Sequence, residues 1–311
     1  MTHVLNLTPG FAPLTSHGRS RYRTPLELRD NTIWSGGEIK LSLKDSSRLS
    51  GLAVTITTRL NTGDDILRLI MAAASLREAG CEHIEAFIPY VPYARQDRVC
   101  NVGEPHALRA FAKLINAQGF KRVFVFDPHS HVTEALIDNC TVISNGTFVT
   151  SVIANHISLL QHDSVLVAPD AGAEKKLCAV ADMLTRIKFV GRSNVKGALY
   201  ASKNRAPDGT ITGTTIHNAT ALSGKIAVIV DDICDGGRSF YPLARLLKEE
   251  LDAAQVMLIV SHGIFSYSFL DNFLDNHIDA VFATDSIRHE NHARTPSCFS
   301  TTIKLESFLN V

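Results

Sequence analysis

Two adjacent carboxylates followed by a glycine pair make the strongest chemical signal in the chain. Residues 226–240 read IAVIVDDICDGGRSF: an apolar run leads into Asp231 and Asp232, then a tight turn over Asp235, Gly236 and Gly237, then Arg238 and Ser239. A Gly-Gly turn lets successive backbone N–H groups converge on one anion. A helix beginning near Ser239 adds the partial positive charge of its N-terminus, with the Arg238 guanidinium and the Ser239 hydroxyl as further donors. Just ahead of the turn, Asp231 and Asp232 are placed to accept hydrogen bonds from two vicinal hydroxyls. The combination suits a ribose carrying a phosphate at its 5-position; the bland alternative is a strand–turn–helix link with a serine cap.

A second cluster is basic. The segment 89–98, PYVPYARQDR, offers Arg95 and Arg98 as fixed cations suited to a triphosphate, with Gln96 able to donate and accept toward an adenine edge. An arginine pair by itself is more often a solvated surface. Other acidic residues close apolar runs, namely Asp127 in DPH, ahead of His129, and Asp170 in PDAG. One such carboxylate could simply cap the next helix; several together, each followed by Gly or His, suit a cation and a sugar.

These residues need a frame that gathers strand ends. Apolar, β-branched runs recur at 52–58, 84–90, 123–127, 165–170, 226–232, 256–262 and 281–285, and they read as strands buried on both faces. Helical patterns at 64–79, 105–117, 173–184 and 240–251 lie between several of them. Alternation of this kind predicts parallel sheets of βαβ units, whose ligands bind beyond the carboxyl ends of the strands. The chain of 311 residues accommodates two such α/β domains, with a boundary expected near Asn145–Gly146. Residues 1–32 are weakly patterned and receive no assignment. Lys plus Arg equals Asp plus Glu at 31 each, so there is no global basic field for nucleic acid. No run reaches the roughly 18 apolar residues of a membrane span, and MTHVLNLTPGF has no signal-peptide pattern. The six cysteines are scattered, without CxxC or zinc-ligand spacing, and read as reduced thiols in a cytoplasmic protein.

Taken in order, the motifs resemble those of the ribose-phosphate pyrophosphokinase (PRPP synthetase) family, of which this chain is identified as a divergent member. The 226–240 segment is similar to the phosphoribosyl-pyrophosphate loop that the family shares with type I phosphoribosyltransferases, and PYVPYARQDR is similar to a segment that ordinary phosphoribosyltransferases lack. Asp127-Pro128-His129 resembles the family's Asp-x-His, Pro169-Asp170-Ala171-Gly172 its PD-x-G, and Lys203 and Arg205 its Lys-x-Arg. Trp34-Ser35-Gly36-Gly37-Glu38 resembles its F-S-D-G-E. The resemblance implies two tandem type I phosphoribosyltransferase-like α/β domains with mostly parallel central sheets. Residues 1–146 would hold the ATP segments and 147–311 the ribose-phosphate loop.

The implied activity is transfer of the β,γ-diphosphate of ATP to the 1-hydroxyl of ribose 5-phosphate, giving PRPP and AMP. In that scheme Glu38, Arg95, Gln96, Arg98 and His129 bind ATP. Asp231, Asp232, Asp235, Gly236, Gly237, Arg238 and Ser239 hold the sugar phosphate, and Lys203 and Arg205 are catalytic on a flexible loop. Magnesium lies near His129, Asp170, Asp231 and Asp232. The implied partners are these small molecules and further copies of the chain, as a homodimer or hexamer, with no nucleic acid and no membrane.

The chain departs from the pattern at three places. Gly36 replaces the acidic residue of the adenine motif, Gly236 the usual Thr, and Arg238 a small residue. The second and third motivate an alternative acceptor, ADP-ribose, in an NAD-related salvage reaction. A phosphoribosyltransferase and a non-catalytic regulatory subunit are the other readings. Arg95–Arg98 would have no task in the former, and retention of His129, Lys203, Arg205 and the loop carboxylates argues against the latter.

Overall fold

The computed structural model describes residues 2–14, 22–157, 162–186, 195–205, 211–266, 277–287 and 300–307. The chain divides into two compact units, Met1–Ser144 with Ser286–Arg288 and Lys304–Val311, and Asn145–Asp285 with His289–Ile303. The division falls two residues before the expected boundary, and the final segment belongs to the first unit rather than the second. Leu305, fully buried, lies in that segment.

In the first unit, β1 (Thr2–Asn6), β2 (Tyr22–Leu26), β5 (Ala53–Thr57), β6 (His83–Ile88), β7 (Arg122–Phe126) and β8 (Cys140–Ile143) form a sheet ordered β2-β1-β5-β6-β7-β8. Every pair in it is parallel. A separate antiparallel hairpin joins β3 (Leu28–Ile33) to β4 (Ile39–Leu43). The crossovers are α1 (Gly63–Glu78), α2 (Ala107–Asn116) and α3 (His131–Leu136). Thr62 starts α1 through a capping box with Asp65, and Gly80, at φ +81°, ends it where a side chain would be strained. On α2, Leu108, Phe111, Ala112 and Ile115 recur at helical spacing and are all buried. They and Leu69, Ala72, Ala73 and Leu76 of α1 join the core that contains Val54, Ile56, Ile84, Ala86, Val123 and Val125 of the sheet.

The second unit carries a seven-stranded sheet ordered β11-β10-β9-β12-β13-β14-β15. Its strands are β9 (Ser164–Ala168), β10 (Val195–Arg205), β11 (Ile211–His217), β12 (Ile226–Cys234), β13 (Gln255–Gly263), β14 (Ala280–Thr284) and β15 (Ser300–Ile303). All pairs are parallel except β10–β11. The helices are α4 (Gly146–Val152), α5 (Ala171–Arg186) and α6 (Tyr241–Glu249). From β9 the chain moves outward through α5 to β10 and β11, then returns to the other side of β9 as β12. That reversal is a topological switch point, the place where open α/β sheets leave a crevice.

The expected α/β class with mostly parallel sheets is what the structure has. The unassigned N-terminus supplies β1, an interior strand whose Val4 and Leu5 are fully buried. Among the described residues no helix is long and apolar enough to cross a membrane.

The described cysteines are all free thiols; Cys81 and Cys234 are buried, Cys100 and Cys178 exposed, and Cys140 half-buried. Cys298 lies outside the described residues. Burial and the Glu134 carboxylate push the Cys140 thiol up to about 11, and burial also raises Cys81 and Cys234. Alkylation at pH 8 followed by peptide mass spectrometry is therefore expected to modify Cys100 and Cys178 first and to reach Cys81, Cys140 and Cys234 only in denaturant. Early labelling of Cys234 would contradict this packing.

Candidate active site

The second unit builds its site from unequal strand lengths. β9 and β12 pair from Ile226↔Ser164 to Ile229↔Val167, and carrying that register onward sets Asp170 level with Asp232. β9 stops at Ala168, while β12 runs on beside β13 as far as Cys234↔Gly263. Asp231 and Asp232 thus lie inside β12, on the stretch that has outrun β9, rather than after the strand. Successive strand residues face opposite sides of a sheet. Asp232, 6% exposed, shares the face of Val228 and Val230, and its Oδ2 accepts from Lys176 Nζ of α5 at 3.0 Å. Asp231 shares the face of Ala227 and Ile229, and its Oδ1 accepts the Asp232 N–H at 2.9 Å.

The loop beyond β12 is anchored at both ends. The Cys234 carbonyl accepts from Ile264 N–H at 2.7 Å and Phe265 N–H at 3.1 Å, and the Gly237 N–H reaches the Cys234 thiol. Gly237 sits at φ +73°, and its carbonyl accepts from Phe240 and Tyr241. That turn delays the helix: α6 begins at Tyr241, not near Ser239, with Phe240 as an N-cap that makes no side-chain cap bond. Ser239 is therefore a turn residue. Among the described residues, no protein acceptor takes the backbone N–H of Gly236, Arg238 or Ser239. Amides left open in this way at one turn are available to a ligand. Gly236 and Ser239 are half-buried and Arg238 is exposed. Burial drives the Cys234 thiol and the Tyr241 hydroxyl upward, so both are neutral packing groups beneath the loop.

Two of the expected site features take a different form. Asp170 Oδ1 accepts from the Gly172 and Ala173 N–H groups at 3.1 Å each, so this carboxylate caps α5. Lys203 and Arg205, expected on a loop, belong to β10; Lys203 pairs with Thr214 and Arg205 with Ile211, with a register shift after Asn204. Residues 187–194 and 206–210, which flank β10, lie outside the described residues.

Within the first unit, neighbouring strands bring together the loops that follow β6 and β7, where Phe126 N–H donates to the Pro89 carbonyl. One loop holds Arg95, Gln96 and Arg98, all exposed, and the other holds His129, also exposed. The Gln96 backbone is fixed between the Tyr93 carbonyl and the Leu108 amide. Tyr93 at φ +63° and Asp127 at φ +38° are non-glycine residues in left-handed conformations at these two strand ends. Glu38 is exposed on the β3–β4 hairpin and shares no hydrogen bond or ion pair with Arg98, Gln96 or His129 among the described residues. Its carboxylate instead lies over Gly36, where an added Cβ would come within 3.2 Å of Oε2. The sequence reading missed Lys176. Its signal was a lysine flanking the apolar stripe Ala173, Leu177, Val180 and Leu184 of α5.

Asp170 offers a test of capping against charge. Asp170→Asn keeps an acceptor for the two amides, so the melting temperature is expected to hold, whereas Asp170→Ala loses about 1 kcal/mol. If the negative charge also serves catalysis, turnover falls in both variants; full turnover in Asp170→Asn would leave the residue with capping alone.

Known proteins match both units. The family model for the N-terminal domain of ribose phosphate pyrophosphokinase matches residues 14–119, and that for the phosphoribosyl synthetase-associated domain matches 202–307. Among curated relatives, a ribose-phosphate pyrophosphokinase of Pasteurella multocida is 28% identical over 287 residues, covering 91% of this chain and 85% of its own length. Another, from a Marinomonas species, is 27% identical over 269 residues, covering 85% and 81%. The crystal structure of phosphoribosylpyrophosphate synthetase from Mycobacterium smegmatis superposes with a TM-score of 0.78 at 19% identity, over 99% of this chain and 96% of that one. With both domain models matched in order, and relatives aligned along most of its length, the chain belongs to the ribose-phosphate pyrophosphokinase family.

Proposed function

We propose that the chain transfers the β,γ-diphosphate of ATP to the 1-hydroxyl of ribose 5-phosphate, releasing AMP and giving PRPP. The observation that carries this reading is the end of β12, where two carboxylates precede a turn whose Gly236, Arg238 and Ser239 amides meet no protein acceptor. A sugar set there presents hydroxyls to Asp231 and Asp232 and its 5-phosphate to these amides, the Arg238 guanidinium and the Ser239 hydroxyl. Asp235, at the start of the turn, closes the sugar side.

Arg95 and Arg98 hold the triphosphate, Gln96 and Glu38 read the base, and His129 donates to a phosphate oxygen. The Arg98 and Gln96 side chains form no hydrogen bond or ion pair with described residues, which leaves their donors for a ligand. Transfer between oxygens in line asks little covalent work of a protein, so catalysis rests on alignment and on charge aimed at the transferred group. Lys203 and Arg205 supply that charge from β10.

The donor set fits magnesium. Asp170, Asp231 and Asp232 are hard oxygen ligands, and no three His, Cys, Asp or Glu side chains gather into a cage among the described residues. Such a set suits a cation that arrives on substrate phosphates and takes one or two carboxylates and water from the site. Magnesium, when bound, offsets phosphate charge and helps align the reacting oxygens.

ADP-ribose is the second reading, and it rests on Gly236 and on the exposed Arg238. Without a side chain at Gly236 the mouth of the turn is wider, and the Arg238 guanidinium reaches past it toward a second phosphate. Incubation with ATP, magnesium and each acceptor, followed by product masses, separates the two. Ribose 5-phosphate is expected to gain a diphosphate; turnover of ADP-ribose alone would transfer the reading to that acceptor. EDTA is expected to abolish turnover and magnesium to restore it.

Lys203→Ala is expected to lower kcat on the order of a hundredfold with little change in substrate affinity, as for a group acting mainly in the transition state. Turnover at the wild-type level would remove Lys203 from the chemistry.

A further inference from the structure

Asp232 is a carboxylate almost withdrawn from water, and its Oδ2 is engaged by Lys176 Nζ at 3.0 Å. A cation in hydrogen-bond contact with a buried carboxylate fixes where its oxygens point. Lys176 comes from α5, and the start of that helix is tied by Asp170 Oδ1 to the Gly172 and Ala173 amides. Asp170 in turn lies two residues beyond the end of β9, the strand that pairs with β12. The lysine is therefore delivered to Asp232 by a helix whose start is pinned at the same sheet edge. Leu177, next to it in sequence, is a buried member of the apolar stripe, and the Lys176 side chain is about a quarter exposed, at 27%. The pair spans 56 residues of sequence and lies at the crevice itself, not at a remote surface.

We propose that Lys176 is a positioning residue for the acceptor sugar. It holds Asp232 aimed so that this carboxylate accepts from a ribose hydroxyl. The lysine acts through Asp232 and touches neither the 5-phosphate nor the transferred group. This inference rests on the reading of β12 as the sugar site.

The test is sugar binding measured without turnover. Calorimetric titration with ribose 5-phosphate, and in parallel with ADP-ribose, is carried out on the wild-type chain, Lys176→Met, Lys176→Arg, Asp232→Asn and the double variant Lys176→Met/Asp232→Asn. For the sugar that wild type binds, Lys176→Met is expected to weaken affinity on the order of tenfold to a hundredfold, because one partner of a buried charge pair is lost. Lys176→Arg keeps the charge and is expected to recover most of that loss. In the Asp232→Asn background, Lys176→Met is expected to add little, since Asp232 is the carboxylate through which the lysine acts.

Three results would overturn the proposal. Unchanged affinity in Lys176→Met is one. Additive losses in the double variant are another. The third is a Lys176→Arg variant as weak as Lys176→Met while its melting temperature matches wild type. A wild-type chain that binds neither sugar removes the β12 reading, and the proposal with it.

Discussion

The outrunning of β9 by β12 is the constraint from which the second unit's chemistry follows. A parallel strand is paired on both sides only where both neighbours last, and β9 ends at Ala168 while β12 continues to Cys234. The stretch beyond has one backbone partner, an open flank and two carboxylates. Buried, uncompensated charge there would cost several kcal/mol, so the surrounding elements answer it. Lys176 meets Asp232, the Asp232 amide meets Asp231, and the Gly263–Phe265 turn ties down the Cys234 carbonyl. Gly263 is required at that turn because an added Cβ would overlap the Phe265 ring. The loop that follows is thus held from beneath while its outward amides stay open.

The first unit has its own switch point, and its strand ends are tied differently. There β1 lies between β2 and β5, and the carboxyl ends of β1 and β5 are laced by side chains: Thr57 Oγ1 donates to Asn6 Oδ1 at 2.5 Å, and Arg59 N–H donates to Thr8 Oγ1 at 2.9 Å. The Arg59 guanidinium covers the Phe11 ring at 4.2 Å. The amides of Asn61 and Thr62, which open the next helix, are both taken by Asp65 Oδ2. The amides of Arg59, Asn61 and Thr62 are thus taken within the unit. Arg95, Arg98 and His129 stand exposed on the loops after β6 and β7.

Backbone strain occurs at three of the loops that follow strands. Tyr93, Asp127 and Phe265 adopt positive φ without being glycine, and each lies just past the carboxyl end of a strand. Such conformations cost about 1–3 kcal/mol each and persist where packing over-determines them. Here the supporting bonds are visible: Tyr93 gives its carbonyl to Gln96, Asp127 its amide to Ile143, and Phe265 its amide to Cys234. Stability is thus spent at the strand ends, where loops must be aimed, and recovered in the two apolar cores.

Much of this was written in local pattern. Buried apolar runs ending in acidic or polar residues disclosed seven of the strands, because a strand covered on both faces must be apolar throughout. The Gly-Gly sequence after Asp231 and Asp232 disclosed the turn, because only certain residues permit that backbone. β1 was illegible, since a five-residue strand with Thr, His and Asn in it gains its burial entirely from neighbours distant in the chain. The same holds for β10, whose Lys203 and Arg205 looked like loop residues until β11 paired with them. Asp170 could not be told apart as cap or ligand from its motif, because that depends on where the Gly172 and Ala173 amides point. Lys176 and Asp232 are 56 positions apart, and no sequence spacing connects them. Only the packing of α5 against the end of β12 decides that one lysine answers one buried carboxylate, because charge pairing is set by distance in space and not along the chain.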